Sequence, residues 1–317
     1  MAKTEALQID VLENSPKYVE APRKGSVRCI NSKSYHHISY QDWGDPDNPD
    51  VLFCIHGLTR NSHDFDVIAH QLSSRYRVIC PDTVGRGDSD WLPDHEDYQI
   101  KQYNMDLTVL VAHIGCEEFD LLGTSLGGMM GMILAAMKGS PVRRLIVNDV
   151  GPEVPHTAMS RLGSYLHLDP FFNNLADVET HLRKTLQPFY PMTDEDWQHL
   201  ALTSSKQDEN GYRLAFDPDI SNTYGRRYWY MMYFNLWKYW NRIKCPVLVL
   251  RGLESDFLTE NLRDRMLSKL PHADLIEFEH AGHTPTLNDP SQIEPVAAWL
   301  KKTKPGGGKG KGTVVRI

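Results

Sequence analysis

Glu118-Phe119-Asp120-Leu121-Leu122-Gly123-Thr124-Ser125-Leu126-Gly127-Gly128 joins a short apolar strand pattern to a glycine- and methionine-rich helical stretch. A serine between two glycines at such a junction reads as a strand-turn-helix elbow, which projects the Ser125 hydroxyl from the tip of a sharp turn. The turn forces the serine backbone into an unfavourable φ/ψ region, and side chains beside it would collide with strand or helix. Gly123, Gly127 and Gly128 leave that space open. The pentapeptide alone is a weak signal, because a hydroxyl is a poor nucleophile at neutral pH. It needs a base, an acid that orients the base, and donors for a developing oxyanion.

The base is expected downstream, in Glu279-His280-Ala281-Gly282-His283-Thr284, where a loop follows the last core strand pattern. His283 follows a glycine that permits a sharp turn, whereas His280 directly continues the strand. His283 is therefore the expected base. The acid is expected in Arg251-Gly252-Leu253-Glu254-Ser255-Asp256, just past another core strand, and Asp256 is the residue assigned to it. Two competitors stay open: Glu254 in the same loop, and Asp149 at the end of Leu145-Ile146-Val147-Asn148-Asp149, whose other reading is a carboxylate capping a turn.

Upstream, Val51-Leu52-Phe53-Cys54-Ile55 runs into His56-Gly57-Leu58-Thr59. Backbone N–H groups of that loop can face a substrate carbonyl, so Leu58 N–H is one expected oxyanion donor. Leu126 N–H, at the amino end of the helix after Ser125, is the other. His56 sits ahead of the nucleophile at a strand end and reads as a residue that holds the loop by hydrogen bonds, rather than as a base. Pro81 to Asp90 contains glycines but no Gly-x-x-x-x-Gly-Lys-Ser/Thr and no Gly-x-Gly-x-x-Gly, so it is a structural turn and not a phosphate cradle.

Apolar strand patterns recur at 37–43, 51–55, 76–80, 119–122, 145–150, 246–251 and 275–279 with helical stretches mostly between them, which predicts a largely parallel sheet covered on both faces. The rhythm breaks between Gly151 and Arg242, where no convincing strand is found. Aromatic residues are dense from Tyr224 to Trp240, either lining a pocket beside Ser125 or fixing a helical cap to the sheet.

Composition excludes other classes. The chain has 317 residues, 41% of them hydrophobic and 24% charged, as in soluble globular proteins. It has no apolar run long enough to span a bilayer. A formal charge of −7 argues against nucleic-acid partners, which require a basic face. The amino terminus lacks the apolar stretch of a secretory signal, and five cysteines without paired spacing read as reduced thiols, so a cytoplasmic location is expected. There is no His-Glu-x-x-His and no Cys-x-x-Cys, so neither a catalytic metal nor a cofactor is expected.

With these segments in the order Ser, Asp, His, the chain resembles the α/β-hydrolase superfamily over about residues 35–302. The matching segments are His56 to Thr59, Asp82 to Asp90, Gly123 to Gly128, Arg251 to Leu258 and Gly282-His283. It departs from the family pattern at Arg86, where a histidine is usual, and at Thr124 before the serine. The resemblance implies a mostly parallel twisted sheet flanked by helices with a helical cap inserted after the sixth strand. The expected division is an amino-terminal extension over 1–34, core over 35–151 and 242–302, cap over 152–241 and a flexible basic tail over 303–317. The expected activity is hydrolysis of small to medium acyl carboxylic esters through an acyl-enzyme on Ser125. Two alternatives are a carbon-carbon bond hydrolase or lactonase on the same triad, with Arg161, Arg226 and Arg227 as anchors for an acidic substrate, and a ligand-sensing receptor of the same fold. Haloalkane dehalogenase and epoxide hydrolase activities are disfavoured, since those enzymes carry Asp at the elbow.

Overall fold

A computed structural model describes residues 21–166, 168–186, 192–221, 235–308 and 310–317. Its strands are β1 (Arg23–Ile30), β2 (Tyr35–Trp43), β3 (Val51–Ile55), β4 (Arg77–Pro81), β5 (Phe119–Thr124), β6 (Val142–Asn148), β7 (Ser205–Asp208), β8 (Gly211–Leu214), β9 (Val247–Gly252), β10 (Asp274–Phe278) and β11 (Val314–Arg316). The helices are α1 (Asp66–Leu72), α2 (Ile100–Ile114), α3 (Leu126–Ala135), α4 (His156–Leu166), α5 (Leu175–Thr185), α6 (Asp194–Thr203), α7 (Trp237–Trp240), α8 (Glu260–Lys269) and α9 (Pro290–Lys302). None of the helices described is long and apolar enough to cross a membrane.

Nine strands form one sheet in the order β1-β2-β4-β3-β5-β6-β9-β10-β11. The β1–β2 and β2–β4 pairs are antiparallel, and every other pair is parallel. β3, β5 and β9 are buried along their whole length because both faces are covered. Their side chains alternate between two cores. Phe53, Leu121, Leu145 and Val249 meet Leu107, Leu110, Met130 and Met266 on one face. Leu52, Leu122, Ile146 and Leu250 meet Ile68, Ile293 and Val296 on the other. Each such side chain contributes roughly 2 kcal/mol by leaving water.

The sheet extends beyond the expected core at both ends. β1 lies within the stretch read as an extension, and β11 within the stretch read as a flexible tail. Both are edge strands joined mainly through backbone pairing. In β1 only Val27 and Cys29 are buried, and β11 buries nothing, so neither carries a hydrophobic signature. Arg316 also reaches Glu277 at 3.1 Å. A second difference lies in the cap, where β7 and β8 form a hairpin within a region read as strand-free. Asn210-Gly211 was the available turn signal there.

All the loops of interest leave the carboxyl ends of parallel strands, where open α/β sheets gather ligand-binding residues. The cap segments are bound to this edge. Arg60 Nη1 donates to Ser204 Oγ at 2.8 Å and Asn61 Nδ2 to Thr203 O at 2.6 Å. The Asp82 to Asp90 turn completes the attachment: Gly87 N–H donates to Ala215 O and Asp217 N–H to Gly85 O, both at 2.8 Å.

Candidate active site

Ser125 follows β5 and caps α3 with φ 52° and ψ −111°, a left-handed backbone that a non-glycine residue adopts only under constraint. Its surroundings explain the constraint. A Cβ at Gly123 would meet Gly127 C at 2.3 Å, and a Cβ at Gly127 would meet Ile55 O at 2.1 Å. Ser125 N–H donates to Asn148 O at 3.0 Å, tying the elbow to the next strand. Thr124, one of the departures from the family pattern, has a partner in the same place. Asn148 Nδ2 reaches Thr124 Oγ1 at 3.2 Å and Pro285 O at 2.9 Å, so one side chain joins the elbow to the loop that carries His283.

His283 Nε2 lies 3.1 Å from Ser125 Oγ, and His283 Nδ1 donates to Asp149 Oδ2 at 2.8 Å. Phe257 stacks on the imidazole with ring centroids 3.7 Å apart and planes 6° from parallel, which fixes the ring's orientation. His280 is exposed and takes no part.

The carboxylate on His283 is therefore that of Asp149, and the expectation of Asp256 is corrected. Asp256 turns outward to Arg161, with its two oxygens 2.8 and 2.9 Å from Nε and Nη2. Partial burial works against its charged form, but the Arg161 contact outweighs it and holds the carboxyl below the usual range. Asp149 follows β6 at φ 56° and is fully buried. Gly252 N–H donates to its Oδ1 at 3.0 Å, and Ser255 Oγ donates to its Oδ2. Ser255 Oγ in turn accepts Phe257 and Leu258 N–H, each at 3.1 Å. The loop after β9 thus holds the Asp149 carboxylate in place and brings none of its own to His283. Glu254 in the same loop is exposed. Ser255, Phe257 and Asn148 are site residues that sequence reasoning missed. Only the strand-terminal position of Asp149 gave a sequence signal.

His56 is fully buried and bonded on both nitrogens. Nδ1 donates to Gly57 O at 2.7 Å, and Nε2 accepts Thr83 N–H at 2.9 Å. Burial, reinforced by the charges of Arg86 and Arg60, lowers its pKa to about 3, so the ring is neutral and serves as a fastener for the loop. That loop approaches the elbow closely: a Cβ at Gly57 would stand 3.7 Å from Ser125 Cβ. Arg86, the second departure from the family pattern, is fully buried and donates Nε to Leu58 O and Nη1 to Val84 O, both at 2.8 Å. Its guanidinium lies over the Tyr103 ring, 4.7 Å from the centroid.

A family model described as alpha/beta hydrolase fold matches residues 50–290. The chain belongs to this hydrolase family. It is 39% identical over 280 residues to the 3-hydroxybutyrate-oligomer hydrolase of Cupriavidus necator, covering 86% of this chain and 96% of that one. An alpha/beta hydrolase from Novosphingobium aromaticivorans superposes with a TM-score of 0.77 at 31% identity, covering 89% of this chain and 99% of the other. The sn-1-specific diacylglycerol lipase of Mus musculus is 25% identical over 252 residues, 76% of each chain.

In this hydrolase a cleft of about 1090 Å³, including the part open to solvent, reaches Ser125 and His283. Leu162, Leu186, Met192, Leu200 and Phe257 form its apolar lining, with contributions from cap and core. Arg60 and Arg161 also line it, paired with Asp64 and Asp256. The aromatic residues from Tyr224 to Phe234, with Arg226 and Arg227, lie outside the described residues. Trp237 and Trp240 are buried in the main core, where Trp240 Nε1 donates to Met266 O at 3.0 Å, so these two rings fasten the segment to the sheet.

Proposed function

We propose that the chain is a serine hydrolase of carboxylic esters with small to medium acyl chains, using Ser125, His283 and Asp149. The observation that carries this reading is the continuous relay from Ser125 Oγ through the His283 ring to Asp149, at 3.1 and 2.8 Å. Ser125 Oγ attacks the ester carbonyl while His283 Nε2 takes its proton. The same proton goes to the leaving alcohol as the C–O bond breaks. Water, deprotonated by His283, then attacks the acyl-enzyme, and the returned proton restores the Ser125 hydroxyl. Asp149 holds the proton-bearing Nδ1 and stabilises the imidazolium. Leu58 and Leu126 N–H hold the oxyanion: Leu126 opens α3, whose first N–H groups have no acceptor within the helix, and the helix dipole adds to their effect.

Both the cleft lining and the 39% identical relative bear on the substrate class. An apolar cleft whose arginines are matched by carboxylates suits a neutral acyl chain better than an acid needing an unpaired cation, which weighs against the carbon-carbon hydrolase reading with Arg161 as anchor. A hydrolase of 3-hydroxybutyrate oligomers is 39% identical to this chain, and a hydroxy-acid oligomer joins carboxylate to hydroxyl. Purified protein is expected to cleave p-nitrophenyl butyrate and linear dimers and trimers of 3-hydroxybutyrate, whose acyl half is uncharged and whose carboxylate lies on the leaving hydroxy acid, and to react with a fluorophosphonate at Ser125. A panel in which only dienone acids or lactones turn over would overturn the ester assignment.

Arg86 gives a further prediction. Because its Nε fixes Leu58 O, Arg86→Met should loosen the loop that presents Leu58 N–H. We expect kcat on a short ester to fall about 10- to 100-fold, less than the 10²–10³ for removing a donor outright, with KM nearly unchanged. Arg86→Lys should not restore the rate, since one ammonium cannot span both carbonyls. Steady-state kinetics with a thermal melt of each variant checks this.

A further inference from the structure

His63 and His199 line the same cleft as Ser125, one from the loop after β3 and the other from cap helix α6, and the ester-cleaving relay uses neither. Both rings converge on one oxygen of Asp66, the first residue of α1. His63 Nδ1 lies 2.8 Å and His199 Nε2 3.0 Å from Asp66 Oδ2. The three donor atoms all fall within 4.8 Å of one another. The Gln41 carboxamide also touches the site, with Nε2 3.0 Å from His63 Nδ1. Asp66 is only 8% exposed, and its other oxygen, Oδ1, is buried without a hydrogen-bond partner among the described residues. An unsatisfied buried carboxylate oxygen is costly, so the Asp66 carboxylate keeps spare acceptor capacity beside the two imidazoles.

We propose that His63, Asp66 and His199 form a binding site for a divalent transition cation of the zinc type in the wall of the substrate cleft. Two imidazole nitrogens and one carboxylate oxygen make a donor set suited to zinc, and three protein ligands leave a fourth position for water. Bonds of about 2.0–2.2 Å around a tetrahedral ion place its ligand atoms about 3.3–3.6 Å apart. The two contacts to Asp66, at 2.8 and 3.0 Å, therefore need to open by roughly half an ångström, and the two ring nitrogens, now within 4.8 Å of each other, to settle at the same separation. On binding, each ring nitrogen facing Asp66 offers its lone pair to the ion. Any proton it carried moves to the other ring nitrogen or to water. Calcium and magnesium favour six or more oxygen ligands and are poorly served here. His63 and Asp66 belong to the core and His199 to the cap, so a bound ion would fasten α6 to the sheet beside the cleft.

The site is tested on the full chain, with fold checked by circular dichroism, by titrating zinc against a chromophoric chelator. Cobalt(II), which reports its ligands by colour, serves as a second probe. Wild type is compared with His63→Ala, His199→Ala, His283→Ala and Cys29→Ser. Cys29 tests the other close cluster, Cys29 with His36 and Asp106, which is fully buried. The proposal expects one ion per chain, at least tenfold weaker binding in His63→Ala and His199→Ala, unchanged binding in His283→Ala and Cys29→Ser, and no thiolate band with cobalt. His199→Gln replaces His199→Ala if that variant does not fold. Wild-type affinity in both histidine variants, or loss of binding confined to His283→Ala or Cys29→Ser, overturns it. The readout is binding, so its failure is separate from a failure of the esterase reading.

Discussion

Ser125→Ala is expected to lower kcat on p-nitrophenyl butyrate by about a millionfold, the size of effect seen when a triad nucleophile is removed elsewhere. The hydroxyl lies 3.1 Å from Nε2 of His283, the proposed base, and that ring is already aligned by Asp149 and by Phe257 stacking. Taking away the Oγ therefore removes the covalent route and leaves only what the oxyanion donors and binding contribute. The fold should be untouched, because alanine meets the same backbone strain at φ 52° as serine and the glycines around the elbow are unchanged. Kinetics, labelling by a fluorophosphonate and a thermal melt together check this. A loss below a hundredfold with intact fold would mean that another group attacks the ester.

Asp149→Asn should cost about 10⁴-fold in kcat. The introduced carboxamide would offer His283 Nδ1 either an N–H or a neutral oxygen, leaving the ring free to take the wrong tautomer and the imidazolium unsupported. Asp256→Asn should cost less than tenfold. Its partner Arg161 and its own side chain are 31% and 37% exposed, so the pair is worth at most about 1 kcal/mol to stability. Measuring kcat for both variants on one ester separates the two carboxylates, and a larger loss at Asp256 would return the acid to the loop after β9.

Those two aspartates mark where sequence reasoning ended. Asp149 follows β6 and Asp256 follows β9, and these strands are neighbours in the sheet, so both carboxylates leave the same edge within reach of the His283 loop. What separates them is local. Ser255 and Gly252 hold Asp149 inward by hydrogen bonds, and Arg161, far away in the chain, draws Asp256 outward. Arg86 and Thr124 were visible as departures from a pattern, but their partners, Leu58 O and the Asn148 side chain, could be found only once β4 lay beside β3 and β5 beside β6. The central strands were legible because burial on both faces leaves continuous apolar runs. β1, β11 and the β7–β8 hairpin were not, because backbone pairing places little demand on side chains.

The order of amino acids alone determined the turn at Ser125, the place of the His283 loop after the last core strand and the alternation of strand and helix, since these depend on glycine space, a turn after a strand and apolar periodicity, all local in the chain. Tertiary structure decided which carboxylate meets the imidazole, what holds the Leu58 loop, and that His63, Asp66 and His199 converge. Each of these depends on a distance between residues far apart in sequence, and only the packed sheet and cap set those distances.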